Sequence, residues 1–82
     1  MDNGLISLEK LSLGSIGRVK ELITEGVARR RMLDLGLIHD TIIKPLMKSP
    51  AGDPIAYEIR GAVIALRSEE ASKILVEKAQ LN

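Results

Sequence analysis

His39 and Asp40 stand side by side, Asp34 precedes them and Asp53 follows on the next loop. Imidazole and carboxylate groups are ligands for divalent ions, so His39, Asp40 and Asp53 form the first candidate site, a metal site. The set is thin. A zinc site takes three or four protein ligands, with His or Cys among them, and this chain has one His and no Cys. The expected role of Asp40 and Asp53 is therefore to shape turns, where a short carboxylate bonds its own backbone, with His39 an exposed loop residue. No other catalytic grouping emerges. Gly14-Ser15-Ile16-Gly17 is too short for a phosphate loop and lacks the following Lys-Ser/Thr. His39 has no triad context. The chain reads as a non-enzyme.

Nucleic acid is disfavoured on two grounds. The net charge is +1 with the cations scattered, whereas phosphate binding needs a clustered positive field. Single-strand binding also needs stacked aromatics, and the chain has only Tyr57, with no Phe or Trp. Tyr57 keeps phase with Ile55 and Ile59, so it is expected in the core. The same lack of aromatics argues against recognition of proline-rich peptides. What remains is a compact domain that binds a protein partner through its helix, its loops or a strand edge.

The best helical signal is residues 27–37. Ala28, Met32 and Leu35 fall at i, i+4 and i+7, on one helix face. Gly36 stands where a left-handed cap would stop the helix. Arg29, Arg30 and Arg31 point to three sides, because each step turns about 100°, so they form no basic stripe. Arg30 and Asp34, four apart, are placed to pair. Leu33 lies off the Ala28/Met32/Leu35 face. Amphipathic helices often bury an arc wider than 100°, so Leu33 is expected to join a wide buried face. The alternative is an exposed Leu33 offered to a partner. Arg30, Leu33 and Asp34, turned away from Ala28 and Met32, are the candidate partner-binding residues.

Around this helix the chain reads as short strands. Residues 5–8 form a short extended segment, and residues 16–23 the first long strand, with Gly17 marking a bulge or close backbone approach. Residues 42–48 form the second strand. Pro45 cannot donate to a ladder, which places that strand at an edge or puts a bulge there. Its alternation sets Ile43 and Met47 on one face. Residues 49–54 are a dense turn signal. Residues 55–60 and 63–67 form the third and fourth strands around Gly61-Ala62, with Ile64 and Leu66 inward. Ser68 is a good N-cap for a short helical turn with Glu69 and Glu70 in its first turn. The β-branched Ile74 and Val76 favour a closing strand over a continued helix. The fold class is mainly β: a small, strongly bent barrel of about five strands, one helix inserted after the first long strand, and a short helical turn near the C-terminus.

The 82 residues, 45% of them hydrophobic, are expected to form one small domain over residues 1–82, with residues 1–4 loose. A chain of this size buries a little over ~60% of its unfolded surface, so its stability is modest. No leader segment and no apolar run near the ~20 residues of a membrane span are read. The expectation is a soluble cytoplasmic protein without direct membrane insertion, monomeric or weakly dimeric.

Separate stretches resemble one family. Arg29-Arg30-Arg31-Met32-Leu33-Asp34-Leu35-Gly36-Leu37 resembles the helix segment of the FeoA family, ferrous iron transport protein A. Pro50-Ala51-Gly52-Asp53-Pro54-Ile55 resembles its loop before the third strand. Leu11, Gly14 and Gly17-Arg18-Val19 resemble its opening segment. Gly61 with Ala65-Leu66-Arg67, then Ala71 and Ile74-Leu75-Val76, resembles its closing segment. The order and spacing hold from about residue 6 to residue 77, and this whole-chain agreement carries the weight. The resemblance implies an SH3-like β-barrel with an inserted helix. It also implies no enzymatic activity, no required cofactor, and an accessory role beside FeoB, the membrane ferrous iron transporter with a cytoplasmic GTPase domain. The chain would then reach the inner face of the membrane through that partner. Ferrous ion at His39, Asp40 and Asp53 is the alternative ligand reading. Two departures stand out. The family has Pro-Gly where this chain has His39-Asp40, and Asp tolerates positive φ better than most residues. Pro45 replaces a β-branched strand residue.

Overall fold

A computed structural model describes residues 4–79. The elements run β1 (Leu5–Ser7), a 3-10 turn (Leu8–Lys10), β2 (Ile16–Leu22), α1 (Gly26–Asp34), β3 (Ile42–Lys48), β4 (Ile55–Ile59), β5 (Ala62–Leu66), α2 (Ser68–Ala71) and β6 (Ile74–Ala79). The strands form one antiparallel sheet of six in the order β1-β6-β2-β3-β4-β5. The extra strand is residues 5–7, which pair with β6. Residues 74–79 form a strand, as the β-branched residues indicated. Of the residues expected to be loose, 1–3 lie outside the described residues, and Gly4 is an exposed bend.

The inner face of the curled sheet holds the core. Val19, Ile43, Ile55, Tyr57, Ile59, Leu66, Ile74 and Val76 are buried there, closed over by Leu8, Leu11, Met32, Leu37 and Ala71. Tyr57 is fully buried, as its phase required. Gly17 is buried too, and a Cβ there would meet Leu11 Cδ2 at 3.0 Å and Val76 Cβ at 3.3 Å. The glycine permits a close approach, and the β2 bulge falls between Val19 and Glu21 instead. The bulge shifts the inward phase of β2: Val19 faces in before it and Leu22 is half-buried after it.

Pro45 resolves by its second option. Strand β3 lies inside the sheet between β2 and β4, and its ladder with β4 shifts between Pro45 and Met47. On the other side, β2 pairs with β3 only at Gly17↔Ile43 and Arg18↔Ile42, so no ladder bond is required of the proline nitrogen. The shift also reverses the alternation. Met47, expected beside Ile43, is exposed, while Pro45 is buried. The β4–β5 hairpin closes one residue earlier than its glycine suggested. Arg60 (φ 53°) and Gly61 (φ 84°) make a two-residue turn with Ile59 paired to Ala62, the type I′ geometry that matches strand twist.

Helix α1 ends as predicted. Gly36 has φ 96°, Leu37 N–H donates to Met32 O at 3.0 Å and Gly36 N–H to Leu33 O at 3.0 Å. These two bonds are a Schellman cap, and it delivers Leu37 and Met32 together into the core.

Candidate functional site

Only one α1 residue, Met32, is buried. The wide buried face does not form: Leu33 is 40% exposed and Val27 86% exposed, and Ala28 is exposed as well. The physical reason is the placement of α1, which rests on the barrel by Met32, with Leu35 at its C-cap half-buried against the core, rather than along an arc. Three polar ties supplement Met32. The Arg29 guanidinium donates to Leu22 O at 3.1 Å. Arg31 pairs with Glu70 of α2. The Schellman cap is the third. Arg30 and Asp34 are both exposed, and among the described residues they form no ion pair with each other.

Between α1 and β2 runs a groove of about 340 Å³, walled by Lys20 and Leu22 from β2, Arg29 and Leu33 from α1, and Ile38 and His39 from the segment after the cap. Its apolar rim is Leu33 and Ile38, the latter 46% exposed. Of the sequence candidates, Leu33 and His39 line this groove, while Arg30 and Asp34 do not. The sequence reading missed Arg29, Ile38 and Lys20. Only Ile38 left a signal, as an apolar residue in a short turn.

At one end of the groove, the charged groups form a small network. Lys20 Nζ donates to Asp40 Oδ1 at 2.6 Å and lies 3.8 Å from Glu77 Oε1. The hydrogen bond with Asp40 raises the Lys20 pKa, and the same bond lowers that of Asp40. His39 places Nδ1 3.2 Å from Lys20 O and Nε2 3.6 Å from Asp40 Oδ2. Asp40 adopts φ 69°, the left-handed geometry that its side chain tolerates. Asp53 acts elsewhere. Its Oδ1 accepts the Ser68 N–H at 2.8 Å, so it satisfies the start of α2, and Ser68 is the first helical residue rather than the cap. Glu70 Oε1 accepts the Arg67 N–H at 3.0 Å. That bond, then the one from Arg31, lowers the Glu70 pKa. The structure thus brings His39 and Asp40 together and gives Asp53 a separate task. Among the described residues no three His, Cys, Asp or Glu side chains gather as a metal-holding group.

The bent antiparallel sheet and its inserted helix, with an open groove of mixed apolar and charged lining between them, define a small SH3-like barrel. The chain matches the FeoA domain over residues 6–78, and it belongs to the FeoA family, a family of non-enzymatic accessory domains of ferrous iron transport. It is similar to a Fe(2+) transport protein A/Fe(2+) transporter FeoB fusion protein of Porphyromonas gingivalis, with 33% identity over 75 residues, covering 92% of this chain and 9% of that protein. The chain therefore spans about a tenth of that relative's length. Among solved structures, a FeoA-like protein from Clostridium acetobutylicum superposes with a TM-score of 0.86 at 34% identity, covering 99% of this chain and 94% of the other. A Stenotrophomonas maltophilia FeoA, described as a procaryotic SH3 domain protein and complexed with zinc, shares the fold. Its TM-score is 0.79 at 24% identity, covering 88% of this chain and 89% of the other.

Proposed function

We propose that this chain is an accessory protein of ferrous iron transport, acting in the cytoplasm by docking onto the cytoplasmic region of a FeoB-type transporter. The observation that carries the reading is the fusion relative, in which a FeoA segment 33% identical to this chain is joined to FeoB. Fusion makes an encounter intramolecular and so replaces a weak bimolecular contact. The α1 face supports the same reading. Leu33 and Ile38 are exposed apolar side chains beside Arg29, His39 and Glu21, which suits a segment carrying an apolar residue flanked by polar groups. Arg30 and Asp34 flank that surface as the outer helix contacts.

The test is a titration of the protein against the transporter's cytoplasmic GTPase domain with the guanine nucleotide varied. Saturable binding is expected, weakened about tenfold by Leu33→Ala, as for loss of a well-packed interface side chain. Unchanged affinity for Leu33→Ala, Arg30→Ala and Asp34→Ala would remove this face. No binding to either the domain or the intact transporter would remove the proposal. Ferrous ion is a separate arm: saturable amide shifts over residues 39–53 at micromolar metal would make His39, Asp40 and Asp53 a metal site.

A further inference from the structure

Strand β5 is an edge of the sheet. Its register with β4 decides which of its backbone groups are spoken for. The two-residue turn makes Ile59↔Ala62 a hydrogen-bonded pair, so Tyr57↔Ile64 and Ile55↔Leu66 are bonded as well. Val63 and Ala65 occupy the intervening pairs, opposite Glu58 and Ala56. Their N–H and C=O groups point away from β4, and no backbone bond reaches them among the described residues. Both residues are exposed, Val63 by 66%. The strand is Ala-Val-Ile-Ala-Leu, without charge or proline. Natural edges are usually blunted by charge, Pro or a bulge, and this one has none of those.

We infer that β5 pairs antiparallel with β5 of a second copy, joining two sheets across a two-fold axis at Ile64. The free groups select this register. With Ile64 opposite Ile64, Val63 faces Ala65 of the second copy and Ala65 faces Val63. Each chain then offers two donors and two acceptors, and all of them meet in four hydrogen bonds. A shift by two residues in one direction would place Val63 opposite Arg67. The Arg67 N–H is already given to Glu70, and its carbonyl already accepts from Glu70 and Ala71. A shift the other way places Val63 against Val63 and brings Ala65 onto the turn residue Gly61. The favoured register also sets a larger side chain on a smaller one at both outer positions. It keeps cations apart: Arg67 stands opposite Gly61 of the second copy, and Arg60 opposite Ser68. The contact is isologous, so it closes at two copies instead of growing. One five-residue strand overlap falls short of the ~1,000 Å² of a stable interface, so the dimer is weak.

The experiment is sedimentation and ¹⁵N amide spectroscopy of the full chain from about 10 µM to about 0.5 mM, a range that brackets a weak dissociation constant. The mass is expected to rise towards twice the monomer, with concentration-dependent shifts at the Val63 and Ala65 amides. Val63→Lys puts two ammonium groups diagonally across the axis. Ala65→Pro removes an outward N–H while sparing the β4 ladder. Either substitution, if folded, should restore the monomer over the whole range. A monomer at every concentration overturns the inference. So does a dimer that survives both substitutions with its shifts on another face.

Discussion

Met32 and Leu33 are adjacent in sequence and opposite in consequence, and their contrast tests the account of α1. Met32 is 4% exposed in the core, whereas Leu33 is 40% exposed on the groove rim. Truncating a buried Met to Ala costs about 2–5 kcal/mol in transfer and cavity terms. Here α1 has no other buried residue, so the helix can settle partly into the gap. A value of about 3 kcal/mol, inside that range, follows. For a domain of this size that lowers Tm by about 12–24 °C. Leu33→Ala removes only the covered part of a leucine and gains helix propensity, for a net loss of about 0.5–1 kcal/mol. Urea unfolding followed by far-UV circular dichroism measures both, with the midpoint shifted and the slope retained. Amide exchange adds a second readout: Met32→Ala should speed exchange across residues 26–35 more than in β4. A Met32→Ala variant within about 1 kcal/mol of the parent, or a Leu33→Ala variant less stable than Met32→Ala, would refute the single-anchor description.

Three further outcomes are expected. Gly36→Ala should destabilise by about 1–2 kcal/mol, because φ 96° strains any residue with a Cβ; the 2.9 Å approach of that Cβ to Arg60 Cδ is relieved by swinging an exposed side chain. Tyr57→Phe should be neutral or stabilising at pH 7 in thermal melts, since the Tyr57 hydroxyl is buried without a hydrogen-bond partner among the described residues. Burial, then the charges of Glu9 and Asp53, pushes that phenol up to about 12 from 10.0. The neutral form is therefore favoured by folding, so parental stability falls as pH rises from 10.0 through about 12, and Tyr57→Phe should lack that fall. Glu70→Gln should destabilise at pH 7, with the gap to the parent closing in acid. The folded carboxyl lies below its usual 4.5, so its contribution is present above 4.5 and lost as pH falls through the lower folded value; urea midpoints at neutral and acid pH measure it.

The sequence showed most of the barrel because period-two runs such as Ile55, Tyr57 and Ile59 need no tertiary information. Gly36 carried the helix end for the same local reason. What it hid depends on neighbours distant in the chain. Met47 left the core because a one-residue shift against β4 reversed its phase. Leu33 stayed outside because burial of a helix face is set by how the helix lands, and α1 lands on Met32. Asp53 reads as a turn residue, yet its carboxylate accepts the first N–H of α2, fifteen residues on. The groove was partly legible: Leu33 and His39 were singled out for separate reasons, but nothing local joins them to Lys20 or Arg29.

Strand β6 lies between β1 and β2, with Leu5 opposite Glu77 and Ile16 opposite Ala79. Strand β6 is thus an inner plank of the sheet, and its zipper needs two partners, β1 and β2, that come much earlier in the sequence. Long-range pairing of this kind raises contact order, so assembly should wait on that closure and be slower than in a helical domain of equal length. The same closure sets the two ends of the fold beside each other. A module built so can be spliced into a longer polypeptide as a loop-like insert or an appended bead with little disturbance to its sheet. Joining to a much larger transporter chain, as in the Porphyromonas gingivalis relative, asks little of such a fold beyond a linker.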